Sequence, residues 1–118
     1  MIPYFEEADI AVTVCDRDGR IIEMNRQSRE VNLPAGASPD ALIGKDVLDC
    51  HPEPARSLLL RLMQKEEKHV YTITKRGRKK LIYQIPWYRD NEYAGFIELS
   101  MMLPDEMPHY DRDAHRKG

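Results

Sequence analysis

The pattern of hydrophobic and polar residues near the start of the chain is typical of a β-hairpin. The large apolar residues Ile10, Val12 and Val14 occupy every second position along residues 10–15. A polar turn containing the step Asp18-Gly19 follows, and residues 21–24 form a second apolar segment. Because an Asp-Gly pair readily adopts the positive φ angles of a tight turn, this pattern predicts two antiparallel strands.

The last third of the chain repeats this period-two pattern in three further segments. They cover residues 69–75, 81–87 and 95–103. Turn-forming residues separate them at 76–78 and at 90–92. Since strands joined by such short turns pair with their neighbours, the pattern predicts a three-stranded meander.

Between the two groups of strands, the spacing of apolar residues favours helices. Residues 25–33 are polar and predict only short helical pieces. Ser38 as N-cap, Pro39 as first residue and Gly44 as terminator predict a helix of barely two turns. The longest helical pattern places apolar residues at spacings of three and four, at Ala55, Leu58, Leu59, Leu62 and Met63. Prolines just before it fit a first helical turn and place its start near His51.

Length and composition indicate one domain. The chain has 118 residues, of which 42% are hydrophobic and 32% charged, with a net charge of -2. We expect a single domain over residues 1–104, followed by a polar tail over residues 105–118. No apolar run approaches the roughly 20 residues of a membrane span, no signal-peptide pattern opens the chain, and the cysteines lack CxxC spacing. We therefore expect a cytoplasmic protein with neither nucleic acid nor membrane as partner.

The order of these elements, with several local motifs, resembles that of a PAS domain. Residues 16–21 resemble the first PAS hairpin, Asn25 stands where the family often has Asn, and residues 42–45 resemble the step before the main helix. Residues 93–98 look like the usual start of the last strand. The resemblance implies an α+β fold, with a five-stranded antiparallel sheet and with short helices and one longer helix packed on one face. It implies sensing or protein interaction, and no catalysis.

A narrower resemblance concerns the step before the main helix. The sequence Asp49-Cys50-His51-Pro52 is similar to that of small bacterial and archaeal sensory PAS segments, some of which end in something like residues 103–110 here. This likeness brings no defined ligand with it. PAS cores in general enclose a haem, a flavin or a small metabolite, or remain packed and act through dimer contacts.

His51 is the most suggestive candidate for a cofactor or metal ligand. As the expected N-cap of the main helix, its ring would lie at the positive end of the helix dipole, which favours the neutral imidazole that binds iron. The alternative is a structural cap bonded to neighbouring backbone. Met101 and Met102 are soft side chains on the last strand, and either ligation of iron or core filling would suit them.

Other chemically interesting residues have simpler interpretations. Cys50 adjoins His51, but a nucleophilic pair is less favoured than a small buried thiol. His69, His109 and His115 show no zinc-ligand spacing. The basic run at residues 75–80 is interpreted as solvated charge that protects the end of the sheet.

Three hypotheses follow. The first is a sensory PAS domain that binds a small ligand in a space between helix and sheet and transmits its state through protein contacts. Its most specific version has a haem held by His51. The residues expected to line that space are Val47, His51, Leu58, Leu62, Tyr83, Ile97, Leu99 and Met101. The alternative is a ligand-free PAS module that acts by homodimerisation or by docking a signalling partner. The third is an enzyme that uses Cys50 and His51.

Overall fold

The structure, a computed structural model, describes residues 3–113. The elements follow in the order α1 (Pro3–Glu6), β1 (Ala11–Asp16), β2 (Ile21–Met24), α2 (Arg26–Asn32), a 3-10 turn (Val47–Cys50), α3 (Ala55–Lys65), β3 (His69–Lys75), β4 (Arg78–Arg89) and β5 (Glu92–Met102). The five predicted strands are all present. The short α1 has no counterpart among the predictions.

The strands form one antiparallel sheet in the order β2-β1-β5-β4-β3. The first strand therefore pairs with the last, and β5 is central. Local turn chemistry explains the tight connections: Gly19 has a φ of 81°, and Asp90 and Asn91 have φ angles of 52° and 65°. The predicted hairpin, the meander and the α+β class are confirmed.

The apolar core occupies one end of the sheet. Its buried members are Cys15, Ile21, Met24, Val47, Leu48, Leu59 and Phe96. Cys15 and Phe96 are register partners on β1 and β5, and Leu59 brings α3 onto them. We call the sheet face that carries Cys15 and Phe96 the helix side, and the opposite face the outer face.

Strand alternation assigns the remaining residues to these two faces. On β5, the helix side carries Phe96, Glu98 and Ser100, and the outer face carries the odd-numbered residues between them. The strongest apolar alternation of the sequence therefore lies on the outer face. The helix side changes from apolar at Phe96 to polar two residues later.

Two helix predictions are wrong. Residues 38–44 form turns, in which the Ala41 amide bonds to the Ser38 carbonyl and the Ile43 amide to the Asp40 carbonyl. These bonds span three residues, so no α-helical ladder forms. The main helix begins at Ala55, with Pro54 as its N-cap, because Pro52 and Pro54 precede the helix instead of forming its first turn.

The chain after β5 forms no further α-helix or strand up to residue 113, and its side chains there are mostly exposed. The boundary at residue 104 stays a prediction, and residues 114–118, with His115, lie outside the described part. None of the described helices is long and apolar enough to cross a bilayer.

Candidate functional site

The floor of the candidate site is the polar part of the helix side. It consists of side chains from four neighbouring strands, namely Thr13, Tyr71, Gln84, Glu98 and Ser100. The registers that pair Thr13 with Glu98 and Gln84 with Glu98 place them side by side. Gln84 donates from Nε2 to Glu98 Oε1 at 2.7 Å. This floor is polar although it lies beneath helices.

His51 lies above this floor, at the end of the 3-10 turn. Asp46 caps the start of that turn by accepting a hydrogen bond from the Leu48 amide at 2.9 Å. His51 is the C-cap residue, and its Nδ1 lies 2.9 Å from the Val47 carbonyl oxygen. Because a carbonyl oxygen only accepts, Nδ1 carries a proton, and in the neutral imidazole Nε2 then has the lone pair.

The position of His51 corrects the expected one. It follows a 3-10 turn and does not cap α3, which begins four residues later. The helix-dipole argument for its neutral form therefore does not apply. The hydrogen bond to Val47 orients the ring and, in the neutral imidazole, selects the tautomer with the proton on Nδ1.

Three cavities meet around His51. The polar cavity, about 200 Å³, is bordered by Ala11, Thr13, Val31, Asn32, His51, Tyr71, Ile73, Lys75, Lys80, Ile82, Glu98 and Ser100. The middle cavity, about 310 Å³, is bordered by Thr13, Ile21, Met24, Asn32, Leu42, Val47, Cys50, His51 and Glu98. The apolar cavity, about 450 Å³, is bordered by His51, Pro54, Ala55, Leu58, Leu59, Leu62, His69, Tyr71 and Gln84. His51 is common to all three.

Four of the eight predicted lining residues border these cavities. His51, Leu58 and Leu62 border the apolar cavity, and Val47 and His51 border the middle one. They come from the 3-10 turn and from α3, as the helical pattern suggested.

The four predicted residues from the strands do not line this space. They are Tyr83, Ile97, Leu99 and Met101, and all lie on the outer face. Tyr83 is the register partner of Leu99, and each alternates with helix-side neighbours. The prediction assumed that the most apolar face of the strands turns toward the helices, and in this chain that face turns away from them.

Electrostatics distinguish the two ends of the polar cavity. Burial, and after it the neighbouring Lys75, lower the pKa of Lys80, while Glu98 opposes this effect. Burial, and after it Glu98, raise the pKa of Tyr71. The cavity thus has a cationic end at Lys80 and an anionic end at Glu98. The prediction that residues 75–80 are all solvated is wrong for Lys80, which is 7% exposed.

The cysteines and the other histidines contribute little to the site. Partial burial, and after it Asp49 and Asp46, raise the pKa of the Cys50 thiol, which makes it a poor nucleophile. His69 borders the apolar cavity, whereas His109 is exposed. Within residues 3–113, no three His, Cys, Asp or Glu side chains cluster as metal ligands would.

Sequence reasoning missed the polar floor and Lys80. The signal was present in the alternation, because the residues between the apolar ones of β4 and β5 include Lys80, Gln84, Glu98 and Ser100. Polar residues that alternate with apolar ones are usually solvent-facing. Only the position of the helices shows that these line a cavity.

Comparison with known proteins agrees with this architecture. A family model described as a PAS fold matches residues 5–100, which is most of the chain. The chain therefore belongs to the PAS family. No curated protein matches it.

Several solved structures share the fold at low sequence identity. The PAS domain of histidine kinase ThkA is 20% identical, with a TM-score of 0.62, over 80% of this chain and 99% of its own. The PAS domain of Bordetella pertussis BvgS is 19% identical, with a TM-score of 0.64, over 86% of this chain and 82% of its own. The Aer2 receptor from Vibrio cholerae is described as a dual PAS-haem oxygen sensor. It is 17% identical, with a TM-score of 0.61, over 80% of this chain and 95% of its own.

Proposed function

We propose that this PAS domain is a sensory module that binds a small molecule between its helices and its sheet. The bound state would then be transmitted through contacts with another protein chain. The narrower likeness carried by residues 49–52 stays a prediction and is not needed for this proposal.

The observation that carries the proposal is the polar floor beneath the cavities. In a PAS module with a packed core, we would expect apolar side chains at positions 98 and 100. This chain has an apolar side chain at Phe96 but polar ones at Glu98 and Ser100. Polar groups withdrawn from bulk water cost free energy unless something bonds to them. Thr13 already bonds to Ser28, and Gln84 to Glu98. The groups left to face the cavity are chiefly the Ser100 hydroxyl and the Glu98 carboxylate, and a ligand that bonds to them accounts for their position better than the ligand-free alternative does.

Native mass spectrometry of the purified chain tests ligand binding. We expect a bound non-protein mass that is lost in Ser100→Leu, because the larger side chain fills the polar cavity. The matched control is Met101→Leu, which changes the neighbouring residue on the outer face and should retain the mass. A wild-type chain that carries no added mass, and that no small molecule stabilises against heat, would favour the ligand-free alternative.

Haem is a specific form of this proposal, supported by His51. When bound, a haem would supply an iron centre that binds diatomic gases. This chain offers an axial nitrogen at His51 Nε2, whose tautomer is fixed by Val47, next to the apolar cavity. Residues Leu58 and Leu62 would contact the macrocycle.

A haem titration followed by ultraviolet–visible absorption tests whether the chain binds haem through His51. We expect a saturable Soret band at one haem per chain that His51→Ala abolishes. His69→Ala is the control, because His69 borders the same cavity from β3 and should leave the band intact. Equal spectra for both variants, or no specific titration, would remove haem and leave a colourless ligand.

Homodimerisation is the second candidate, favoured by the outer face. That face presents a continuous apolar surface in which Tyr83, Ile85, Ile97, Leu99 and Met101 are all half-buried. Apolar surface of this kind is typical of protein interfaces. We expect a dimer in sedimentation experiments, a monomer for Leu99→Glu, and a dimer for Ile43→Glu, a control in the distant turn region. A monomeric wild type would contradict the dimer.

Two further expectations accompany the proposal. The absence of a catalytic step and the cytoplasmic location both stay predictions. The output partner of a chain of this kind would be a separate protein or a neighbouring domain.

A further inference from the structure

Lys80 is a buried cation that forms no ion pair with the described residues. Its side chain lies on the helix side of β4 and is 7% exposed, and among residues 3–113 no carboxylate lies within salt-bridge distance of it. Other basic residues of its hairpin, such as Lys79, are exposed. A lysine is rarely withdrawn from water in this way unless something pairs with it.

A basic groove leads to Lys80 from the surface. This groove, about 410 Å³, is bordered by Gln27, Glu30, Val31, Lys75, Arg76, Arg78, Lys80 and Met102. Its single carboxylate, Glu30, lies 3.8 Å from the guanidinium of Arg26. Four basic side chains against one paired acid make the groove attractive to anions.

The groove and the polar cavity are adjacent, with Lys80 between them. Val31, Lys75 and Lys80 border both spaces. On the other side of Lys80, the polar cavity is bordered by Thr13, Ser100 and Glu98, and the Thr13 hydroxyl bonds to that of Ser28. An anionic group that enters past the arginines therefore meets Lys80 before it meets the carboxylate.

The two charged ends are separated by a distance that suits a short molecule. Lys80 pairs in register with Met102, four residues after Glu98 on β5, so the two Cα positions are about 13 Å apart along the strands. Both side chains project from the helix side of the sheet, where the polar cavity lies. A second anionic group at the inner end would be repelled by Glu98, whereas a cationic donor would pair with it.

Building on the proposed sensory function, we propose that the ligand is a small amino-carboxylate. Its carboxylate pairs with Lys80 and its ammonium group pairs with Glu98, between the hydroxyl groups of Thr13 and Ser100. The basic groove draws the carboxylate end in first. This inference names the ligand class for the cavity and goes beyond the binding of an unspecified small molecule.

Isothermal titration calorimetry of the full chain tests the ligand class. The probes are glycine, β-alanine and γ-aminobutyrate, which vary the distance between the two charges, with succinate and succinamide as comparisons. We expect at least one amino-carboxylate to bind about tenfold more tightly than both comparisons, because succinate places a carboxylate at Glu98 and succinamide leaves Lys80 unpaired.

Three variants test whether Lys80 binds the carboxylate of the ligand and Glu98 its ammonium group. Lys80→Met, which keeps the length of the side chain, should weaken binding at least about tenfold, whereas Lys79→Met, one residue away on the outer face, should change it less than about twofold. Glu98→Gln should weaken amino-carboxylate binding and strengthen succinate binding. Circular dichroism establishes that each variant is folded.

The inference is overturned if none of the amino-carboxylates binds, if succinamide binds as tightly, or if Lys80→Met and Lys79→Met behave alike. A bound mass in native mass spectrometry that Ser100→Leu removes, together with any of these results, would leave the proposed sensory function standing. If the wild type carries no bound mass and none of the amino-carboxylates binds, the ligand class and the proposed sensory function both fail.

Discussion

The indole N–H of Trp87 donates a hydrogen bond to the carbonyl oxygen of Cys15, 3.0 Å away. The bond crosses β5 at Gly95, which pairs in register with Trp87 and has a φ of 149°. A Cβ atom on Gly95 would lie 1.9 Å from that carbonyl oxygen and 2.8 Å from Trp87 Nε1. The residue must therefore be glycine for β1, β4 and β5 to approach one another here.

Gly95→Ala should reduce the free energy of unfolding by about 3 kcal/mol, from backbone strain and steric overlap. Urea denaturation measures the loss. The control is Gly77→Ala, at a φ of 75° with no atom within 4 Å of the added carbon, which should cost only about 1 to 2 kcal/mol. Equal losses for the two variants would contradict the role of Gly95 in this approach.

Asn25 joins the first two helices to β1 through its side-chain amide. Its Oδ1 accepts from the amides of Val12 and Ser28 at 2.9 and 3.0 Å, and its Nδ2 donates to the carbonyls of Phe5 and Ile10, both at 2.7 Å. Its side chain is fully buried. Removing such a group leaves several backbone groups unpaired.

We therefore expect Asn25→Ala to lower the free energy of unfolding by about 3 kcal/mol or more, measured by urea denaturation. Asn32→Ala serves as the control, because Asn32 is exposed and lies in the last turn of α2. It should cost less than about 1 kcal/mol. A small loss for Asn25→Ala would mean that water replaces its bonds.

The lowered pKa of Lys80 makes stability depend on pH in the alkaline range. Its pKa lies below the ordinary 10.5 in the folded chain, so the unfolded chain binds more protons between those two values. The cost of burying the ammonium is fully present at neutral pH. It diminishes as the pH rises through the lowered pKa toward 10.5.

The difference in unfolding free energy between the wild type and Lys80→Met isolates this effect from the other groups that titrate in that range. Without added ligand, we expect the wild type to gain stability relative to Lys80→Met as the pH rises from 7 to 10.5. Thermal denaturation across that range measures it. A difference that does not vary with pH would show that Lys80 remains solvated.

Thiol alkylation should separate the two cysteines. Burial, and after it Glu98, raise the pKa of the Cys15 thiol far above its ordinary value, whereas Cys50 is exposed with a pKa raised more modestly. We expect iodoacetamide at neutral pH to modify Cys50 more slowly than an unstructured cysteine peptide, and Cys15 only after unfolding. Mass spectrometry counts the adducts, with Cys50→Ser as the control. Unusually fast modification of Cys50 would revive the enzymatic alternative.

The strands and their turns were predictable because their causes are local. Gly19 and the pair Asp90-Asn91 lie where tight turns need positive φ angles, and the apolar alternation between such turns predicts strands. The order of these elements resembled that of a PAS domain, and the family match confirms it. The helix predicted at residues 38–44 failed because capping residues alone do not form a helix without an apolar face to bury.

The candidate site was only half predictable, for a reason that lies in the sheet. Alternation gives two faces but does not tell which of them meets the helices. Leu58 and Leu62 border the apolar cavity, as the helical pattern suggested, because a lone amphipathic helix has one apolar side to bury. Ile97 and Leu99 were assigned to the wrong face because the more apolar face of β5 turns outward.

The central position of β5 means that a single backbone separates two environments. Glu98 projects into the polar cavity, while Ile97 and Leu99, its neighbours in the chain, project from the opposite surface. Any displacement of this strand by an occupant of the cavity is therefore shared by the apolar surface without an intervening relay of side chains. A ligand in the polar cavity and a protein bound to the outer face would therefore contact opposite sides of the same strand.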